Sequence, residues 1–234
     1  MTIDLRPLGD RAFLARFADE DAASRWAGAV RARAWPGVVD VALAYASAAV
    51  FVDPDVVDPD TLEGRLHAIE PGPGGRPAGR LISVPVRYDG EDLAEVSRLV
   101  GLAEAEVVAR HSGRDYRVFA IGFQPGFPYA GYLDASLSGL PRRSTPRVRV
   151  PAGSVAIAGR QTGIYPAESP GGWLLLGRTP LRIFDLGRGY FPIRAGDRLR
   201  FEAIDDAAFD AMRGSLLTSD PPSGLADPAG PPYT

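Results

Sequence analysis

Apolar positions along this chain recur at two periods, and the period changes wherever glycine and proline intervene. Partial alternation over Arg11–Phe17 (RAFLARF) predicts a strand. From Asp19 to Trp35 the apolar positions Trp26, Val30 and Ala34 fall at i, i+4 and i+8, the stripe of a helix. Asp19, Glu20 and Asp21 suit the positive end of its dipole, and Pro36-Gly37 ends it. Val38–Tyr45 and Ala48–Asp53 predict a hairpin of two apolar strands. Asp58–Ile69 predicts a second helix, with Leu62, Leu66 and Ile69 on one face and Pro59 in its first turn. Strand-helix-strand-strand-helix is the order of a small α+β sandwich of ferredoxin-like type.

Glu70–Arg80 (EPGPGGRPAGR) predicts a linker, being too rich in glycine and proline for regular structure. Beyond it, Leu81–Tyr88 predicts a strand whose Pro85 belongs at an edge or a bulge. Asp92–Val100 and Ala103–His111 predict two short helices, the second stopped by Ser112-Gly113. Tyr116–Ile121, Ser154–Ala158, Trp173–Leu176, Leu181–Asp185 and Arg198–Ile204 predict further strands, and Asp206–Arg213 a closing helix. Many short strands between turns predict a closed barrel rather than a parallel sheet. The expected organisation is a small α/β domain over residues 1–80, a mainly-β barrel over 81–219 and a disordered tail over 220–234.

Composition narrows the chemistry. The chain has 234 residues, 45% hydrophobic and 24% charged, which suits an ordinary globular protein. A net charge of −3 predicts no general attraction for nucleic acid or an anionic membrane. No apolar run is long enough to span a bilayer, and MTIDLRPLGD has neither the basic nor the apolar region of a secretion signal, so a cytoplasmic protein is expected. There is no cysteine, which excludes thiol catalysis, disulfides and thiolate metal sites. All 26 basic residues are arginine, so neither a Schiff base on a lysine nor a Walker A lysine is available. His67 and His111 are the two imidazoles. No metal-ligand spacing appears, and no metal site is expected. What remains for chemistry is carboxylates, hydroxyls, arginines and backbone dipoles.

Residues 122 to 178 concentrate those groups. Phe123, Phe127, Tyr129, Tyr132, Tyr165 and Trp173 sit among closely spaced glycines and prolines, with Arg142, Arg143, Arg147 and Arg149 within eight residues. Such loops let backbone approach a small anion closely, and guanidinium groups bind carboxylate or phosphate bidentately. The same glycines equally suit a compact β-domain with many corners, and the arginines a solvated surface. GFQPGF is not a dinucleotide fingerprint, because Pro125 blocks the required strand-turn-helix geometry. Gln161 and Thr162 offer neutral donors or turn caps, and His111 suits a helix C-terminus by dipole alone.

GFQPGFPY, LPRRSTPRVRVPAGSVAIAGRQTGIYP and SPGGWLLLGRT together resemble the family of the 5-oxoprolinase B subunit, which includes allophanate hydrolase subunit 1 and the kinase inhibitor KipI. The resemblance covers about residues 5–205 and is most specific from Gly122 to Thr179. It implies an N-terminal α/β domain followed by a cyclophilin-like barrel. It also implies work with 5-oxoprolinase subunits A and C in opening 5-oxo-L-proline to L-glutamate, with ATP (with or without Mg) bound by the complex and the chain inactive alone. Two other activities are implied as alternatives: inhibition of a sensor histidine kinase, and carboxyltransferase work in a urea carboxylase or allophanate hydrolase. On the first reading Arg142 and Arg147 clamp the substrate carboxylate, while Gln161, Thr162 and amides near Gly122, Gly126 and Gly171 donate hydrogen bonds. Phe123, Phe127, Tyr165 and Trp173 wall the site. His111 matches a histidine that family members carry just ahead of the GFQPGF loop, which makes it the expected general base.

Overall fold

The computed structural model describes residues 3–70 and 79–218. Most of the expected linker, and the tail from Asp220, lie outside the described residues. Two compact units divide the chain, residues 1–78 and 79–234.

The first unit runs β1 (Asp4–Pro7), β2 (Ala12–Arg16), α1 (Glu20–Arg33), β3 (Val38–Ala44), β4 (Ser47–Val52) and α2 (Pro59–His67). Each helix begins where a carboxylate satisfies a free amide. Asp19 accepts from Ala22 N at 2.7 Å, and Asp58 accepts from Thr61 N at 3.0 Å ahead of Pro59. The fully buried Trp26 lies on the face of α1 that carries Ala22, Ala23, Ala27 and Val30. The sheet order is β1-β2-β4-β3, antiparallel throughout. Strands β2, β4 and β3 with the two helices follow the split order expected of a ferredoxin-like sandwich. The edge beside β2, however, is filled by β1. That strand went unanticipated because DLRP is short, charged and closed by proline, features that blunt an edge.

The second unit starts with β5 (Leu81–Val86), α3 (Leu93–Val100), α4 (Glu104–Ser112), β6 (Asp115–Ile121) and β7 (Pro128–Gly131). It continues through β8 (Arg147–Val150), β9 (Ser154–Ala158), β10 (Gln161–Ile164), β11 (Ser169–Gly171), β12 (Leu174–Arg178), β13 (Arg198–Ala203) and α5 (Asp206–Met212). Seven strands form a mixed sheet in the order β12-β9-β10-β7-β6-β13-β5, with β5 and β13 parallel. The sheet curls until the chain after β5 meets β12. Arg87 and Arg178 exchange two backbone hydrogen bonds of 2.9 Å, and Gly90 N and Asp92 N donate to Leu176 O and Leu175 O at 3.1 Å. This seam needs glycine: a methyl group on Gly177 would lie 2.2 Å from Arg87 O. Inside, Val84, Val86, Val118, Ile157, Ile164, Leu176 and Phe201 pack with Leu93, Val96 and Val107 of the helices. The expected strand Leu181–Asp185 does not form. Its residues pair only at isolated bridges, Arg182 with Leu216 and Asp185 with Tyr190, and Asp185 instead caps a 3₁₀ turn through Arg188 N at 3.3 Å. Strands β8 and β11 form a separate two-stranded sheet.

Candidate functional site

The strands of the barrel have two apolar faces, and the glycine-rich segment serves both. On β9, Val155 and Ile157 point into the barrel while Ala156 and Ala158 point the other way; on β12, Leu174 and Leu176 point in and Leu175 points out. The outward residues join Phe127, Val150, Tyr165 and Trp173 in a second buried cluster, with Tyr129 against it. Phe127 is its centre. Its ring lies 5.5 Å from Phe123, 5.0 Å from Tyr129, 5.2 Å from Tyr165 and 5.5 Å from Trp173, each pair edge to face. Phe127, Tyr165 and Trp173 are buried, whereas Phe123 is 62% exposed on a residue of left-handed backbone (φ 69°). Gly122 N donates to Phe127 O at 3.1 Å, closing the loop that Gly126 turns at φ 82°. A methyl group on Gly171 would stand 2.3 Å from Tyr165 Oη, so the phenol reaches its place only across bare backbone.

Around this cluster the arginines are organised by a carboxylate that no motif announced. Asp92, 2% exposed at the start of α3, accepts from Arg143 Nη1 at 2.8 Å and Arg147 Nη2 at 2.7 Å. Its second oxygen accepts from Leu175 N at 2.7 Å. Arg147 also reaches Glu91 at 3.2 Å and Arg143 reaches Glu95 at 3.3 Å. Hydrogen bonding to Asp92 raises the Arg147 pKa, so that guanidinium is firmly charged. Arg149 pairs with Glu168 at 2.7 Å in the open. Arg142 lies over the Trp173 ring, 5.9 Å from its centre, and forms no ion pair among the described residues. Tyr165 feels both Arg142 and Arg147, which lower its pKa against the larger upward push of burial. Strand pairing of Gly171 with Arg147 puts the arginine opposite the glycine that Tyr165 covers.

Seven predicted residues therefore meet on this outer face with the loop of Gly122 and Gly126: Arg142, Arg147, Phe123, Phe127, Tyr165, Gly171 and Trp173. Gln161 is half-buried at the far end of β10 from Tyr165, opposite Ala158 and Gly131. Thr162 and His111 lie on the inner side. His111 is fully buried, stacked on Phe201 with ring centres 4.7 Å apart. Thr162 Oγ1 donates to Ala156 O at 3.1 Å, so it accepts from His111 Nε2 at 2.9 Å, and Nδ1 then accepts from Tyr88 Oη at 2.7 Å. Burial drives the His111 pKa from 6.5 down to about 3. A neutral imidazole with both nitrogens engaged in the core has neither the exposure nor the free lone pair of a general base, and the geometry gives His111 a packing role. Asp92 is the site residue that the sequence reading does not single out, whereas Arg143 belongs to the arginine run already noted. The signal available was charge matching: Glu91, Asp92 and Glu95 supply the acids that the arginine run lacks nearby.

A family model described as carboxyltransferase domain, subdomain C and D, matches residues 3–191. The 5-oxoprolinase B subunit of Escherichia coli O157:H7 is 42% identical over 181 residues, 75% of this chain and 83% of that protein. The 5-oxoprolinase B subunit of Bacillus subtilis (strain 168) is 33% identical over 231 residues, 89% of this chain and 96% of its own length. Among solved structures, that of TTHA0988 is 40% identical with a TM-score of 0.74; it covers 83% of this chain, which spans only 40% of that longer one. The uncharacterized protein PH0987 from Pyrococcus horikoshii is 38% identical with a TM-score of 0.53, covering 88% of this chain and 99% of its own. The Kluyveromyces lactis urea carboxylase, 17% identical with a TM-score of 0.62 over 90% of this chain and 22% of that one, shares the fold alone.

Proposed function

This chain belongs to the 5-oxoprolinase B subunit family, and from that membership we propose that it is the B subunit of an ATP-dependent 5-oxoprolinase. The enzyme opens 5-oxo-L-proline to L-glutamate. The observation that carries the reading on the molecule itself is the outer face of the barrel, where Arg142, Arg147, Tyr165 and Trp173 converge without a self-contained catalytic set. We read the two units as a ferredoxin-like domain and a cyclophilin-like barrel, and the partners as subunits A and C. An ATP-consuming reaction of a free metabolite is chemistry of the cytoplasm, where we place the chain.

Opening a five-membered lactam breaks a stable amide, and ATP hydrolysis supplies the driving force when phosphoryl transfer makes the carbonyl oxygen part of a leaving group. This chain's own share is to bind and orient. Arg142 and Arg147 hold negative charge, the Tyr165 hydroxyl donates a hydrogen bond, and Phe123, Phe127 and Trp173 keep water from the ring. ATP and its magnesium are substrates of the assembled complex, and catalytic groups supplied by the partner subunits leave the isolated chain able to bind but inactive. The test is reconstitution: this chain mixed with its A and C partners, 5-oxoproline and ATP releases ADP and glutamate, and mixtures lacking this chain do not. Release of ADP without glutamate from the full mixture would remove the assignment.

A further inference from the structure

The four arginines between positions 142 and 149 differ in what they have left to offer. Arg149 is spent on Glu168. Arg142, Arg143 and Arg147 stand with Glu91, Asp92 and Glu95, three positive charges against three negative, so the group as a whole is neutral. A neutral cluster gives no attraction for a triphosphate with its several negative charges. It does keep individual donors. Arg143 Nε and Arg147 Nη1 are buried with no hydrogen-bond partner among the described residues. Arg142, over the Trp173 ring, forms no ion pair among the described residues. Tyr165 accepts a backbone hydrogen bond from Trp173, and burial holds its proton on, so the O–H remains a donor.

We infer that this face takes the single carboxylate of the lactam, with Arg142 as the residue that reads its charge, and leaves the nucleotide to a partner protein of the complex. The inference rests on the functional reading above and sharpens it by dividing the two substrates between proteins. Asp92 is the positioning residue. By accepting from Nη2 of Arg147 and Nη1 of Arg143 it fixes where both guanidinium groups lie beside Arg142. The exposed ring of Phe123 offers flat apolar surface to the rest of a small ring.

The experiment compares wild type, Arg142→Ala and Arg142→Lys in the reconstituted complex, varying 5-oxoproline, ATP and 2-pyrrolidinone, the same lactam without its carboxylate. Arg142 is exposed, so its loss leaves the fold intact. The expected result is a rise of about 10–100-fold in KM for 5-oxoproline in Arg142→Ala, the value of one charge-assisted contact. KM for ATP stays put, the advantage of 5-oxoproline over 2-pyrrolidinone shrinks by the same factor, and Arg142→Lys recovers part of it. A rise in KM for ATP with that for 5-oxoproline unchanged overturns the division. Should the wild-type complex open no lactam, the functional reading fails separately. The site is then decided by titrating 5-oxoproline and ATP into the full chain. Carboxylate binding that Arg142→Ala abolishes upholds it, and equal binding by both chains, or binding of ATP instead, refutes it.

Discussion

At the residue scale, His111 has consequences for stability rather than for chemistry. Its pKa falls from 6.5 in the unfolded chain to about 3 in the folded one. Between those values the unfolded state holds the extra proton, so stability rises with pH. The contribution is complete above pH 6.5 and is lost as pH drops toward 3. The loss amounts to about 1 kcal/mol for each pH unit. In denaturant titrations the wild type therefore loses stability on acidification more steeply than His111→Gln, which cannot take up the proton; equal slopes would contradict the buried neutral imidazole. The sequence places this histidine on the face of Val107, one helical turn away, which already hints at burial. Its partners Tyr88 and Thr162 are 23 and 51 positions distant, and nothing local announces them.

At the element scale, the seam between β12 and the chain after β5 closes the sheet, and two residues hold it. Gly177→Ala drives a methyl group to 2.2 Å from Arg87 O, a backbone atom that cannot swing aside. The expected cost is about 2–3 kcal/mol, seen as a lowered midpoint in thermal or urea unfolding. Asp92→Asn keeps the shape but removes the charge that two guanidinium groups share. We expect it to cost about 2 kcal/mol, less than for a fully buried pair because Arg143 and Arg147 keep some contact with water. The conservative Asp92→Glu should raise KM for 5-oxoproline in the complex by more than its loss of stability accounts for, since its longer arm moves the arginines. The helices were legible because their signals are local: Asp19 and Asp58 cap them and Pro59 opens one. Strands β7 (PYAG) and β11 (SPG) were not, because their partners, rather than their own residues, make them strands. Leu181–Asp185 has the alternation of a strand but meets its neighbours only at isolated bridges.

At the scale of the whole molecule, each unit carries its own buried residues. Trp26, Val50, Leu62 and Leu66 serve the first, and the barrel interior and the Phe127 cluster serve the second. A fragment of residues 79–234 is accordingly expected to unfold in one cooperative transition and to keep Arg142-dependent binding of 5-oxoproline; a non-cooperative melt would show that the barrel depends on the first unit. The aromatic half of the site could be read from the chain because it comes from one continuous stretch. The acidic half could not, since Asp92 meets Arg143 and Arg147 across 51 and 55 positions of sequence. Trp173 has one more use. It is one of three tryptophans, and the other two, Trp26 and Trp35, belong to the first unit. Replacing those two with phenylalanine leaves a single tryptophan, excited selectively at long wavelength, lying beneath the Arg142 guanidinium. Movement of that cation toward an incoming molecule would change the emission, so occupancy could be followed optically in real time without any attached dye.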